Sequence, residues 1–394
     1  MKVLVASHVL SRRHGGGVAA RAVGMARALG RQGVAVRLLG TDVHLEPTDR
    51  DELRGLDVAL IRSGLTRFPL PLVGPTRLAR LVGWADVVVL FSHWTILNAA
   101  IYAVCRRLGV PHIVCPCGAL PARGRSQAIK RTYDAAVGRR LLREAAACVA
   151  TTPLERQQLL STQAMPARLV VIPNAVDERE RSNRDAVDDV ASAEFRRTLG
   201  LGTAPIVLFM GRLDPIKGPD LLVEAFARIA PRCPAPLLVV AGPDEGLRRG
   251  LIELAARRGI ADRVRFAGRI DHGLTPAAYR AAALLVVPSR SEAMSLVAIE
   301  AGAGGTPVLM TDACGFDVGG DLGGGLTVPA TIDGLADGLE RLLAHPEALP
   351  GMGARLRAHV AAHHVWPVVG RQWLELCVEV AGRVRTPLRA QRSE

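Results

Sequence analysis

The stretch LLVVPSRSEAMSLVAIEAGAGGTPVLM, residues 284–310, decides how the chain is read. Leu284 to Val287 and Pro307 to Met310 are short apolar runs, and Met294 to Ala301 is good helix sequence, so the segment is one strand–helix–strand unit. Two parallel strands joined by a buried helix belong to an α/β sheet covered on both faces. Within it, Glu292 falls in the strand-to-helix turn and Glu300 eight positions later on the helix, so the two carboxylates address different parts of one ligand. A carboxylate can accept from both hydroxyls of a ribose, which is the role expected of Glu300 among Ala298, Ile299, Ala301 and Ala303. Glu292 is expected nearer a transferred group. The backbone N–H groups of Met294, Ser295 and Leu296, at the helix entrance, suit phosphate oxygens or sugar hydroxyls.

The same alternation runs the length of the chain. Candidate strands lie at Val3 to Ser7, Val34 to Leu39, Val58 to Ile61, Val87 to Phe91, His112 to Cys115, Cys148 to Thr151 and Leu169 to Ile172. A second series covers Ile206 to Met210, Leu237 to Ala241, Val264 to Ala267, Leu284 to Val287, Pro307 to Met310 and Leu326 to Val328. With 394 residues, the chain exceeds what a single core usually supports, so two doubly wound domains are expected with a ligand cleft between them. The predicted division is an N-terminal domain over 1–176, a linker over 177–200 and a C-terminal domain over 201–367. A terminal helical stretch, 368–394, is expected to pack back on the first domain. The charged run Asp177 to Val190 carries almost no apolar face and motivates the linker.

In the second series, Ile206 to Met210 runs into Gly211, Arg212, Leu213, Asp214, Pro215, Ile216, Lys217 and Gly218, and a helical pattern follows. Arg212 offers a planar fork and Lys217 a point charge to a diphosphate, and together they can neutralise the charge that grows as a nucleotide leaves. No divalent metal is then required, and no cofactor is expected. Ordinary surface cations beside a turn would give the same local pattern. After the first strand come Ser11 to His14 and then Gly15, Gly16 and Gly17, which let backbone approach a phosphate or sugar closely. Gly15, Gly17 and Ala20 also fit GxGxxA, with Asp42 beyond the second strand, which keeps an NAD(P)-dependent oxidoreductase as the alternative. That fingerprint needs its first glycine directly after the strand, whereas Val9 to His14 intervene.

Asp49, Arg50 and Asp51 spell a DxD in a polar stretch and are expected to be solvated. His93 and Trp94 follow a strand and can serve either a ligand or packing. Seven scattered cysteines argue against a disulfide framework and fit a reducing compartment, and Cys115 with Cys117 lacks the paired CxxC of a zinc site. No apolar run reaches the length of a membrane span, and no signal-peptide pattern opens the chain, so a cytoplasmic protein is expected.

Charge is divided unevenly. Residues 1–176 carry 24 Lys+Arg against 10 Asp+Glu, and the remainder 26 against 27. The excess is densest at Arg123, Arg125, Lys130, Arg131, Arg139, Arg140 and Arg143, interleaved with Ile129, Tyr133, Val137, Leu141 and Leu142. A basic amphipathic stretch over 123–143 suits the anionic inner face of a cell membrane or a lipid-phosphate acceptor, or is simply a solvated helix. With aromatic residues at 4% and none stacking among the arginines, nucleic acid is not the expected partner.

The segments GRLDPIKGPDLLVEAFARIA (211–230) and PSRSEAMSLVAIEAGAGGTPVLMTD (288–312) resemble the signature of glycosyltransferase family 4, a retaining group with the GT-B fold. The triple glycine and Ile172 to Asp177 match as well. The resemblance implies that Arg212 and Lys217 grip the donor diphosphate, Glu300 the ribose, and Glu292 the region of the sugar. It further implies base contacts near Arg269 and Ile270, donor contacts from Gly16 and Gly17, and an acceptor on the first domain. The function it implies is transfer of a hexose-like sugar from a nucleotide diphosphate sugar to a glycan or lipid-linked acceptor, in cell-surface polysaccharide or glycolipid synthesis. Relatives commonly carry a histidine in a PHG turn facing the donor sugar, where this chain reads Pro116, Cys117, Gly118, and Gly-Phe-Gly where it has Ala293, Met294 and Ser295. Cys117 is a poorer hydrogen-bond donor than imidazole, so a catalytically silent GT-B binding protein is a further reading.

Overall fold

The computed structural model describes residues 1–64, 70–120, 126–162, 164, 166–177 and 187–390. The chain divides into two compact units, one formed by Met1–Ala175 with Trp366–Glu394 and the other by Val176–Val365.

The first unit holds an eight-stranded sheet. Its strands are β1 (Lys2–Val9), β2 (Ala35–Thr41), β3 (Asp57–Ser63), β4 (Pro71–Leu72), β5 (Val87–Phe91), β6 (His112–Cys115), β7 (Ala147–Ala150) and β8 (Leu169–Val171), in the order β4-β3-β2-β1-β5-β6-β7-β8. All pairings are parallel except β3 with β4, a short antiparallel edge that the sequence reading does not contain. The central strand VVVLF of β5 is buried at every position, as expected where helices cover both faces. Its exit is fixed by Asn98, whose Nδ2 donates to the carbonyls of Phe91 (2.9 Å) and Ser92 (3.1 Å), while Thr95 caps the helix Ile96–Leu108.

The last helix, Trp366–Ala390, belongs to this unit. Trp373, Val369 and Cys377 are fully buried in the core that also holds Phe91, Leu29 and Met25. Arg21, buried on the helix Arg12–Arg31, donates to Asn174 Oδ1 and to the Ile172 carbonyl (2.7 Å) and lies 5.5 Å over the Trp373 ring. A single guanidinium thus ties the first helix, the segment after β8 and the returning helix together.

The second unit holds β9 (Ile206–Met210), β10 (Leu237–Ala241), β11 (Val264–Gly268), β12 (Leu284–Val287), β13 (Val308–Thr311) and β14 (Gly325–Val328), all parallel in the order β11-β10-β9-β12-β13-β14. Strand order therefore reverses between β9 and β12, as it does between β1 and β5 in the first unit. Ligands of doubly wound sheets bind at such reversals, beyond the carboxyl ends of the strands.

The segment expected as a linker ends differently. Residues 178–186 lie outside the described residues, but Val187–Thr198 is a helix of the second unit. Phe195 packs on that unit's core and Arg196 donates to the Ala281 carbonyl at 2.9 Å, so tertiary contacts give this stretch the partners its own composition does not announce. Asp49 also departs from expectation: it is 7% exposed and accepts from the Glu46 N–H at 2.9 Å, closing a capping box on the helix Pro47–Glu52. Among the described residues, no helix is long and apolar enough to cross a membrane.

Candidate active site

In the second unit β9 ends at Met210, and the next eight residues form a compact turn. Asp214 caps a short 3-10 turn, Pro215–Lys217, through Oδ1 to the Lys217 N–H (3.0 Å), while its Oδ2 pairs with Arg212 Nη2 at 2.9 Å. One carboxylate thereby holds both predicted cations at the end of one strand. Gly218 has φ +67, and a Cβ there would stand 2.1 Å from the Pro288 carbonyl oxygen. This glycine is what lets the turn after β9 press against the exit of β12. Gly242, at φ +143 with the Gly211 carbonyl 1.8 Å from a would-be Cβ, brings the exit of β10 equally close to the same turn.

The turn after β12 is joined to the first through Arg290 and Glu292. The Arg290 N–H donates to the Ile216 carbonyl (2.7 Å), the Arg290 guanidinium pairs with Asp220 at 2.8 and 2.6 Å, and Lys217 Nζ meets Glu292 Oε1 at 2.7 Å. Burial opposes ionisation of Asp220, but the Arg290 guanidinium outweighs it and holds the carboxyl below the usual range. The other oxygen of Glu292, Oε2, accepts from Ser289 Oγ at 2.9 Å, and both Lys217 and Glu292 are mostly buried. Glu292 therefore positions Lys217, where the sequence reading placed it only near the sugar.

Ser295 caps the helix Leu296–Gly304 by accepting from the Ala298 N–H, and Met294 is buried just before it. Glu300, one turn into that helix, accepts at Oε2 from the Tyr279 hydroxyl (2.9 Å). The carboxylate expected to accept from both ribose hydroxyls thus already accepts from Tyr279 at one oxygen. A carboxylate oxygen has two lone pairs, so the hydroxyl orients Glu300 without exhausting it. Arg269 and Ile270 follow β11 on the carboxyl side of the same sheet, with Arg269 exposed and Ile270 packed on the core.

Gly16, Gly17 and Cys117 lie in the first unit. The glycines do not form a loop ahead of a helix: the helix Arg12–Arg31 begins before them and is interrupted at Gly16 (φ 52, ψ −137). A full helical turn therefore separates β1 from these glycines, which does not match the tight turn of a dinucleotide fingerprint. Cys117 sits in the turn after β6. His93, after β5, is fully buried, with Nε2 2.8 Å from Asp134 Oδ1, an oxygen that Trp94 Nε1 also approaches at 2.9 Å. Asp134 opens a π-helical segment, Asp134–Gly138. Sequence reading missed Tyr279 and Asp134, which lie 21 and 41 residues from their partners, and gave no role to Ser289, three residues before Glu292.

The profile described as "Glycosyl transferase 4-like domain" matches residues 16–175, and "Glycosyl transferases group 1" matches 192–358. A protein of Jonesia denitrificans named D-inositol 3-phosphate glycosyltransferase is 31% identical over 336 residues, 76% of this chain and 76% of that protein. The chain belongs to glycosyltransferase family 4. A protein of the same name from Gordonia bronchialis is 38% identical over 228 residues, 55% of this chain and 48% of its own length. The chain thus spans about half the length of some curated relatives that it matches. Among solved structures, Anabaena HepE in complex with UDP and glucose superposes with a TM-score of 0.77 at 19% identity, covering 96% of this chain and all of that one. The family 4 fold is GT-B, and the two parallel α/β sheets agree with it.

Within the family frame, the second unit assembles Arg212, Lys217, Glu292, Met294, Ser295, Leu296 and Glu300 on two adjoining turns and one helix. Among the described residues, no group of three or more His, Cys, Asp or Glu side chains is placed to hold a metal ion.

Proposed function

We propose that this family 4 chain transfers a sugar from a nucleotide diphosphate sugar to a glycan or lipid-linked acceptor, with retained anomeric configuration and without a metal. The observation that carries the reading is the Lys217–Glu292 pair, 2.7 Å across the turns that flank the strand reversal, with Arg212 held beside it by Asp214. Cations fixed in advance cost no reorganisation as charge develops on a leaving diphosphate. Glu300 receives the ribose hydroxyls, and Arg269 with Ile270 receives the base. Glu292 keeps Lys217 aimed. The departing diphosphate then assists the acceptor hydroxyl on the same face of the sugar.

The first unit is assigned the acceptor, and its positive excess suits a phosphorylated one. The shared name of the relatives, D-inositol 3-phosphate glycosyltransferase, favours a second reading in which the acceptor is a phosphorylated polyol. For the lipid-linked reading, Arg131, Arg139, Arg140 and Arg143 are all exposed along 127–143, together with Ile129 at 58%, while Leu141 and Leu142 are buried. That face suits the anionic inner surface of a membrane, with the protein otherwise cytoplasmic. Arg123 and Arg125 lie outside the described residues.

A thermal-shift screen against UDP, GDP, ADP and their sugars tests the donor, since a true ligand stabilises the fold by mass action. The reading predicts one base preferred, turnover that survives EDTA, and product with the donor's anomeric configuration by NMR. Activity lost in EDTA and restored by manganese would contradict the metal-free route. Donor binding without turnover on either acceptor class would favour a silent binding protein.

A further inference from the structure

The first unit contains a pair of thiols that take no chemical step in the proposed transfer. Cys115 ends β6 and is fully buried, Cys117 is partly buried two residues later, and their sulfurs are 3.5 Å apart. Between them Pro116 accepts from the Ala119 N–H (3.2 Å), closing a tight turn with φ +54 at Cys117 and +78 at Gly118, the pattern of a type I′ turn. A cysteine in this left-handed region is uncommon and costs on the order of 1 kcal/mol. The strained geometry is held from outside: Glu155, 1% exposed, accepts from the Gly118 N–H at 2.5 Å and from the Thr151 N–H and hydroxyl, each at 2.6 Å. The turn therefore keeps the two sulfurs in contact.

The other buried thiols give the contrast. Cys105, Cys148, Cys314 and Cys377 are each pushed up to about 12, burial being the largest cause, and none of them has a second cysteine sulfur at hydrogen-bond distance. At Cys115 burial also opposes charge, but the Cys117 thiol donating to its sulfur and the Arg21 guanidinium outweigh it and hold Cys115 below the ordinary thiol range. Cys117 is held well above that range by the same hydrogen bond. The two thiols thus titrate as a coupled pair, with Cys115 giving up its proton before Cys117.

We infer that Cys115 and Cys117 form a reversible thiol–disulfide modification site, which closes to a Cys115–Cys117 disulfide by exchange with a low-molecular-weight disulfide. In the first step the Cys117 sulfur attacks one sulfur of the small disulfide while its proton passes to the Cys115 thiolate. A mixed disulfide forms on Cys117 and one small thiolate leaves. In the second, Cys115 attacks the Cys117 sulfur, its proton goes to the departing sulfur, and a small thiol is released. The protein pair loses two electrons, and the small disulfide gains them. Closure requires the two sulfurs to approach by about 1.5 Å, to the ~2.05 Å of a disulfide bond. The partly buried Cys117 is the sulfur an external reagent meets first, and the enclosed Cys115 resolves the adduct.

The test uses the native full-length protein, reduced and then incubated with glutathione disulfide, with peptide mapping by mass spectrometry. The expected product is the 115–117 peptide lacking two hydrogens and carrying no glutathione, restored by dithiothreitol. Cys115→Ser should stop the reaction at a glutathione adduct on Cys117, and Cys117→Ser should leave Cys115 unmodified. A stable adduct on Cys117 of the wild-type protein, or no change at this pair under conditions that oxidise a short Cys-Pro-Cys peptide, would overturn the proposal. Both readouts are independent of sugar transfer, so they stand or fall apart from the proposed activity.

Discussion

Beyond β9 and β12 of the second unit, charged side chains are paired between two turns: Lys217 with Glu292, Arg290 with Asp220, and Arg212 with Asp214 within the first. Beyond β1 and β5 of the first unit, at the equivalent reversal of strand order, there are a helix broken at Gly16 and a buried His93 bonded to Asp134. One topology thus carries two kinds of site. The charged one is preorganised by ion pairs among its own residues and reads as a diphosphate grip; the other presents backbone and an enclosed polar pair. The winding fixes where a ligand can sit, while the side chains on two turns decide which ligand it is.

The sharpest way to break the contrast is Lys217→Ala. If the second unit does the electrostatic work, turnover should fall by about 10²–10³, roughly 3–4 kcal/mol of lost transition-state stabilisation, in steady-state assays. A loss under tenfold would remove Lys217 from the chemistry. In the first unit the corresponding weak point is structural. Asn174→Ala removes the acceptor of the buried Arg21 Nη1 while Nη2 still donates to the Ile172 carbonyl, and should cost about 2 kcal/mol of stability. All four tryptophans (Trp84, Trp94, Trp366, Trp373) lie in the first unit, so tryptophan-detected urea unfolding reports that loss selectively. An unchanged midpoint would mean that the guanidinium tie is not what holds the returning helix.

A smaller effect is expected from Tyr279→Phe. It frees Glu300 Oε2 from its hydroxyl partner, and donor KM should rise about fivefold, near 1 kcal/mol, at nearly constant kcat. The variant should also lose discrimination between a ribonucleotide and a 2′-deoxyribonucleotide donor, which a merely structural tyrosine would leave intact. The smallest effect belongs to Asp49→Ala. Opening the capping box should cost about 0.5–1 kcal/mol in the same unfolding assay and leave transfer rates alone, separating Asp49 from any DxD metal chemistry.

The contrast also explains what was legible in the sequence. Strands such as VVVLF and LLVV announced themselves because a doubly covered parallel sheet buries every position, whereas the two-residue β4 is too short to carry a pattern. The GRLDPIKG turn was legible because its cations, cap and glycine are contiguous. Tyr279 was not, since it reaches Glu300 from 21 residues upstream on a preceding helix, and Asp134 meets His93 across 41 residues from inside a stretch dominated by arginine. The helix Val187–Thr198 was hidden because its polar surface resembles a linker until Arg196 and Phe195 find partners in the second unit. Local chemistry could be read from the chain; pairings made by the fold could not.

The central claim is that the second unit's strand reversal is a nucleoside diphosphate site built on Lys217. The most direct measurement is isothermal titration of UDP, GDP and ADP, in EDTA, into the wild-type protein and Lys217→Ala at matched folding by circular dichroism. The account predicts saturable one-to-one binding of at least one nucleoside diphosphate, weakened tenfold or more, about 1.4 kcal/mol, in the variant. Absence of binding by all three, or an affinity untouched by the substitution, would contradict it.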